Sequence, residues 1–117
     1  MTARLVVYGL LRKGASMSRL LAGAEFLGEV VVDGYQLFDL GDYPGAVTGT
    51  GAITGELYEL ASPALLDVLD EAEKVHLDPP LYRRALVEVR GEPAWLYVYA
   101  RHVDVAQRIQ TGDWLSR

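Results

Sequence analysis

Cysteine is absent from all 117 residues. That removes disulfides, thiol nucleophiles and thiolate metal sites together, and it fits a reducing compartment. Histidine is scarce: the two in the chain are His76 and His102. Neither sits in an H-E-x-x-H pattern or beside a carboxylate cluster, so no metal is expected. Long hydrophobic runs are missing too. None approaches the ~20 residues that span a bilayer. The opening Met1-Thr2-Ala3-Arg4-Leu5 has no apolar stretch of signal-peptide type. A soluble, cytoplasmic protein with no membrane partner is therefore expected. The formal charge is −5, with acids and bases interspersed. No basic stripe exists to track a phosphate backbone, which argues against nucleic acid. Neither G-x-x-x-x-G-K-[ST] nor G-x-G-x-x-G occurs, so no nucleotide-cofactor signature is present. No cofactor is expected.

Half of the residues are apolar, with seven Tyr and two Trp. The length suits one domain, spanning residues 1–117, that can bury a core without staples. Arg4 to Tyr8 is short, apolar and β-branched and stops at Gly9, the mark of a buried first strand. Ser16 to Ala22 predicts a short helix ending at Gly23. Gly28 to Phe38 predicts a long strand, bent at Asp33-Gly34. Gly41 to Gly51 has the composition of a loop. Ile53 to Leu60 alternates as a strand. Ser62-Pro63 gives an N-cap and first-turn proline for a helix running to about Val75. Tyr82 to Val89 and Ala94 to Ala100 follow as strands around a Gly91-Glu92-Pro93 turn. In the second, Trp95, Tyr97 and Tyr99 share one face and Leu96 and Val98 the other. From Asp104 the tail predicts a short helix or irregular segment. Strands outnumber helices and do not alternate with them. The expected fold is α+β: a small mixed β-barrel or curled sheet of five to six strands with a few short flanking helices.

On a helical wheel, Leu65, Val68, Leu69 and Ala72 form the apolar side of the Ser62–Val75 helix, with Leu66 at its edge. Asp67, Asp70, Glu71 and Lys74 fall opposite and are expected in solvent. Glu73 falls between Leu66 and Leu69, on the shoulder of the apolar side. Two readings follow. Glu73 reaches water or pairs with Arg83 or Arg84. Or it is held in a partly apolar cavity, where burial raises its pKa and suits it to proton transfer near neutral pH.

After the first strand comes Val7-Tyr8-Gly9-Leu10-Leu11-Arg12-Lys13-Gly14, a glycine-bearing turn able to present several backbone N–H groups to an anion. Further on stand Tyr43-Pro44-Gly45, Gly55-Glu56-Leu57-Tyr58, the L-D-x-x-E pattern Leu69 to Glu73, Tyr82-Arg83-Arg84, and an aromatic strand followed by Gly112-Asp113-Trp114. In this order the set resembles the gamma-glutamylcyclotransferase-like family over nearly the whole chain. The resemblance implies a small barrel with helices outside it and a pocket for a small γ-glutamyl substrate. It implies that the Tyr8, Gly9, Leu10 and Leu11 backbone cradles the substrate carboxylate and that Glu73 transfers protons. Tyr43, Tyr82 and Tyr99 are further candidates for the pocket lining. The implied reaction is attack of the substrate's α-amine on its own γ-carbonyl, releasing an amine and 5-oxoproline. Two positions depart from the family pattern: Leu10 stands where Ser or Thr is usual, and Lys74 where Gly commonly follows the Glu. A non-catalytic module that keeps the pocket is the competing reading. An accessory domain binding a partner through an exposed Trp114 is a third.

Overall fold

The alternation of apolar residues in the strands buries both faces of the sheet, and this decides the architecture. A computed structural model describes residues 3–117. The strands are β1 (Ala3–Val7), β2 (Glu25–Asp39), β3 (Pro44–Leu60), β4 (Tyr82–Val89), β5 (Glu92–Tyr99) and β6 (Arg108–Ile109). One α-helix, α1 (Leu65–Ala72), joins β3 to β4. Short 3₁₀ turns lie at Ser18–Leu21, Val105–Gln107 and Trp114–Ser116. The strands form one curled sheet in the order β4-β5-β1-β3-β2-β6. All neighbours are antiparallel except β1 and β5, which run parallel. This is the expected α+β curled sheet. No described helix is long and apolar enough to cross a membrane.

Period-two side chains split the core in two. Inside the curl lie Val6, Val30, Val32, Ile53, Leu57, Leu96 and Val98. On the outer face Leu5, Val7, Tyr58 and Tyr97 meet Leu66 and Leu69 of α1. Within β1, Leu5 and Val7 turn to the helix while Val6 turns inward. The barrel is tightened where Arg90, in the β4–β5 turn, donates Nη1 to the Leu27 carbonyl of β2 at 2.6 Å.

Three expectations change. Of Gly41 to Gly51 only Gly41 to Tyr43 is a loop: β3 starts at Pro44, opposite Asp39 of β2, and pairs back along that strand. Its glycines serve close approach. A Cβ on Gly45 would sit 2.8 Å from Tyr99 Cβ, and one on Gly49 would sit 2.7 Å from Gln36 Cδ. The Ser16–Ala22 helix is only a 3₁₀ turn. The regular part of α1 is also shorter than Ser62–Val75. Leu65, Leu66 and Asp67 donate to Ser62, Pro63 and Ala64 at 3.0–3.1 Å, three residues back. This tight first turn delays the regular helix to Leu65. Ser62 Oγ accepts from Ala64 N at 3.2 Å, within that turn.

Close approach also governs the β1–β3 pairing. A Cβ on Gly55 would lie 2.7 Å from the Val7 carbonyl oxygen, an immovable backbone atom. Gly55→Ala should lower unfolding stability by about 2 kcal/mol, as overpacking does, measured by urea denaturation.

Candidate active site

Two local constraints place Glu73. It is the C-cap residue of α1, and Lys74 after it takes φ 57°. Lys74 N donates to Glu71 O at 3.2 Å and Val75 N to Asp70 O at 3.0 Å. That pair of bonds is a Schellman termination, whose left-handed residue is usually glycine. Lys74 thus fills a glycine-type position, which explains in backbone terms why glycine commonly follows the Glu; nothing in the structure explains the lysine. Leu81 N holds the Lys74 carbonyl at 3.2 Å, fixing the segment from the other side.

The helix face toward the sheet differs from the wheel. Leu66 and Leu69 are buried, but Val68 is 50 % exposed. The inward residues are Leu66, Leu69, Asp70 and Glu73, spaced i, i+3, i+4, i+7. Asp70, expected in solvent, is instead 20 % exposed; it accepts from Tyr97 Oη at 2.7 Å and pairs with Arg84 Nε at 3.0 Å. Arg84 is therefore engaged elsewhere. Among the described residues, Glu73 pairs with neither Arg83 nor Arg84, and no hydrogen-bond donor reaches its carboxylate. Burial without compensation pushes the Glu73 carboxyl up from 4.5 to about 7.

Glu73 lines a cavity of about 180 Å³ between α1 and the loop after β1. Of the residues singled out from sequence, Tyr8, Gly9, Leu10, Leu11, Tyr43 and Tyr82 line it with Glu73. Tyr99 does not; it lies behind Tyr82, edge-on, with centroids 5.4 Å apart. Tyr97 and Lys74 also line the cavity. The strand alternation that put Tyr97 on the face of Trp95 and Tyr99 was a signal for the former.

The tyrosines hold the walls together. Tyr8 Oη donates to Tyr97 O at 2.6 Å and accepts from Ala46 N at 3.1 Å. Tyr82 Oη donates to Pro44 O at 2.5 Å. Pro44 presses on Gly9 so closely that a Cβ there would meet its ring at 2.6 Å. The Tyr-Gly and Tyr-Pro-Gly segments are thus one packing unit. Burial raises the phenols of Tyr8, Tyr82 and Tyr97, so all three stay protonated. In the loop, Arg12 N donates to Gly9 O at 3.0 Å and Met17 N to Leu10 O at 2.9 Å. The N–H groups of Gly9, Leu10 and Leu11 donate to no other described group, so three consecutive donors stand unengaged in the loop.

Behind this loop lies a cluster that sequence reading missed. Arg12 is 2 % exposed. Its Nε meets Glu56 Oε2 at 3.1 Å, Nη1 meets Asp113 Oδ1 at 2.8 Å, and Nη2 reaches Glu29 Oε2 at 3.5 Å. Glu56 Oε1 also accepts from Lys13 N at 2.7 Å and Tyr58 Oη at 3.2 Å. An arginine in a polar turn gives no sequence sign of such burial. Trp114, considered as an exposed partner contact, is 6 % exposed, with the Arg117 guanidinium 3.5 Å from its ring centroid.

A curled sheet with a carboxylate facing a glycine loop across a small cavity defines a class, and sequence comparison agrees. The family model described as "Gamma-glutamyl cyclotransferase, AIG2-like" matches residues 5–116. The chain belongs to this family. It is 40 % identical over 114 residues to the gamma-glutamylcyclotransferase family protein YtfP of Escherichia coli K12, covering 97 % of each chain. The solution structure of ytfP from Escherichia coli superposes with a TM-score of 0.76, covering 96 % of each chain. The crystal structure of PH0828 from Pyrococcus horikoshii gives a TM-score of 0.84 at 33 % identity, over 97 % of this chain and 91 % of that one.

A carboxyl raised from 4.5 to about 7 on folding holds its proton more tightly in the folded state. Its stabilising contribution is complete below the unfolded pKa and is lost as pH rises through about 7. Glu73→Gln should therefore gain stability over the native chain between pH 5 and 8, by about 2 kcal/mol. Paired urea melts across that range check it.

Proposed function

We propose that this chain is a gamma-glutamylcyclotransferase acting on a small γ-glutamyl amine or amide, with Glu73 as its general acid and base. The observation that carries this reading is the unpaired, burial-raised carboxylate of Glu73, in one cavity with the free N–H groups of Gly9, Leu10 and Leu11.

The substrate's own α-amine forms a bond to its γ-carbonyl carbon, and the bond to the leaving nitrogen breaks. The products are 5-oxoproline and the free amine. Nucleophile and electrophile are in one molecule, so closing the five-membered ring has a high effective molarity. No protein nucleophile is required. The α-ammonium must lose a proton and the leaving nitrogen must gain one. A carboxyl titrating near 7 is divided between both forms at neutral pH and can do each in turn. The loop N–H groups take the α-carboxylate, and a donor left over can meet the developing oxyanion. These contacts use backbone, so Leu10 in place of a hydroxyl residue leaves them intact. Tyr43 and Tyr82 form the aromatic wall, with centroids 6.3 Å apart. Lys74 is the cation at the rim.

Glu73→Gln should keep the fold and cut 5-oxoproline release from γ-glutamyl amines by at least about 100-fold. In the native chain kcat should rise with pH through about 7, as the base form appears. Native-like turnover by the variant would remove Glu73 from the chemistry. Calorimetric binding of γ-glutamyl ligands by the native chain, with no product on long incubation, would establish the non-catalytic module instead.

A further inference from the structure

An eight-residue helix has little stability of its own and takes its orientation from whatever docks it. The most apolar side of α1 is centred on Leu65, Leu69 and Ala72. The side that meets the sheet, that of Leu66, Leu69, Asp70 and Glu73, is centred between Glu73 and Leu66. At 3.6 residues per turn the two directions differ by roughly 80°. As a result Val68 stays 50 % exposed while Asp70 turns inward. Apolar burial alone would favour the opposite roll.

Something polar must therefore select the observed face, and the contacts identify it. Asp70 Oδ1 accepts from Tyr97 Oη of β5 at 2.7 Å and from Arg84 Nε of β4 at 3.0 Å. Arg84 is itself fixed, with its guanidinium 4.7 Å from the Trp95 ring centroid. Two adjacent strands grip one oxygen of one helical side chain. Asp70 lies three residues before Glu73, almost one turn, so the roll that satisfies Asp70 also turns Glu73 over the cavity.

We infer that Asp70, held by Tyr97 and Arg84, is a positioning residue that sets the roll of α1 and so keeps Glu73 facing the cavity. This rests on the reading of Glu73 as the proton carrier. Asp70 itself does not touch the reacting atoms. The groups around Glu73 are Tyr8 from the loop after β1, Tyr43 from the turn before β3, Tyr82 from β4, Tyr97 from β5, and Lys74 and Asp70 on its own segment. Burial keeps the phenols of Tyr8, Tyr82 and Tyr97 neutral. Glu73's protonation is therefore governed by how far it is held from water, which is the quantity the clamp controls.

The test follows the Glu73 side-chain carboxyl by ¹³C NMR titration, beside kcat and KM for a γ-glutamyl amine. Asp70→Ala removes both bonds. Tyr97→Phe removes one and keeps the ring on the cavity wall. Asp70→Asn keeps the acceptor oxygen. In Asp70→Ala the titration midpoint should fall by about one pH unit or more as Glu73 meets water, and kcat should fall at least about tenfold with a smaller change in KM. Tyr97→Phe should shift in the same direction by less, and Asp70→Asn should recover most of both effects. A folded Asp70→Ala or Tyr97→Phe protein whose Glu73 titrates as in the native chain would overturn the inference. So would Asp70→Asn behaving like Asp70→Ala. If Asp70→Ala does not fold, Tyr97→Phe and Asp70→Asn decide. Absence of turnover in the native chain would count against the cyclotransferase reading alone, because the titration needs no substrate.

Discussion

The buried guanidinium of Arg12 is the contact on which the cavity depends. It lies at the end of the glycine loop and draws in Glu56 from β3, Glu29 from β2 and Asp113 from the tail. A cation this buried is tolerable only when its donors are met, and losing one partner of such a pair typically costs 3–5 kcal/mol. Removing Arg12 would leave three carboxylates facing one another. Removing Glu56 would free both the guanidinium Nε and the Lys13 N–H. The network therefore holds the loop in one conformation against the sheet, and the unengaged N–H groups of Gly9 to Leu11 inherit that rigidity. It also ties down the chain end: Gly112 O accepts from Thr54 N at 2.8 Å beside Asp113.

This network gives physical content to segments that carried the family resemblance without any assigned chemistry. The Arg of V-Y-G-x-L-R-x-G, the Glu of G-E-L-Y and the Asp of Gly-Asp-Trp are far apart in sequence and meet at one point. Pattern alone cannot show this, because each is a charged residue in a polar turn or at an alternating strand position. What was legible is what local rules govern. An apolar, β-branched run ending at glycine located β1, and alternation located the second half of β3 and separated Leu96 and Val98 from Trp95, Tyr97 and Tyr99 in β5. Composition failed where glycine served a different purpose. Around Gly45 and Gly49 the missing side chain admits Tyr99 and Gln36, so a strand resembled a loop. The wheel failed in a similar way. It ranked faces of α1 by apolarity, while a hydrogen bond and an ion pair from two other strands decided the docking.

Both halves of the cavity are therefore fixed by polar contacts within an apolar frame. On one side Tyr8 and Tyr82 spend their hydroxyls on the carbonyls of Tyr97 and Pro44 and on the Ala46 N–H. On the other, Asp70 is occupied by Tyr97 and Arg84. Among the ionisable groups lining the cavity, this leaves Glu73, Lys74 and Tyr43 without a described hydrogen-bond or ion partner through their side chains.

Why Glu73 in particular stays free follows from where the helix ends. A carboxylate in mid-helix could lean along the surface toward a cation one turn away. At the C-cap, the reversal at Lys74 carries the next residues away, and the Leu81–Lys74 hydrogen bond keeps them there. The helix C-terminus also carries partial negative charge, which gives a carboxylate no help in ionising. Position and burial act in the same direction, toward the protonated form. The reversal that strains a lysine into a glycine conformation thus has a second effect, because it helps to hold an acid where its proton is shared near neutral pH.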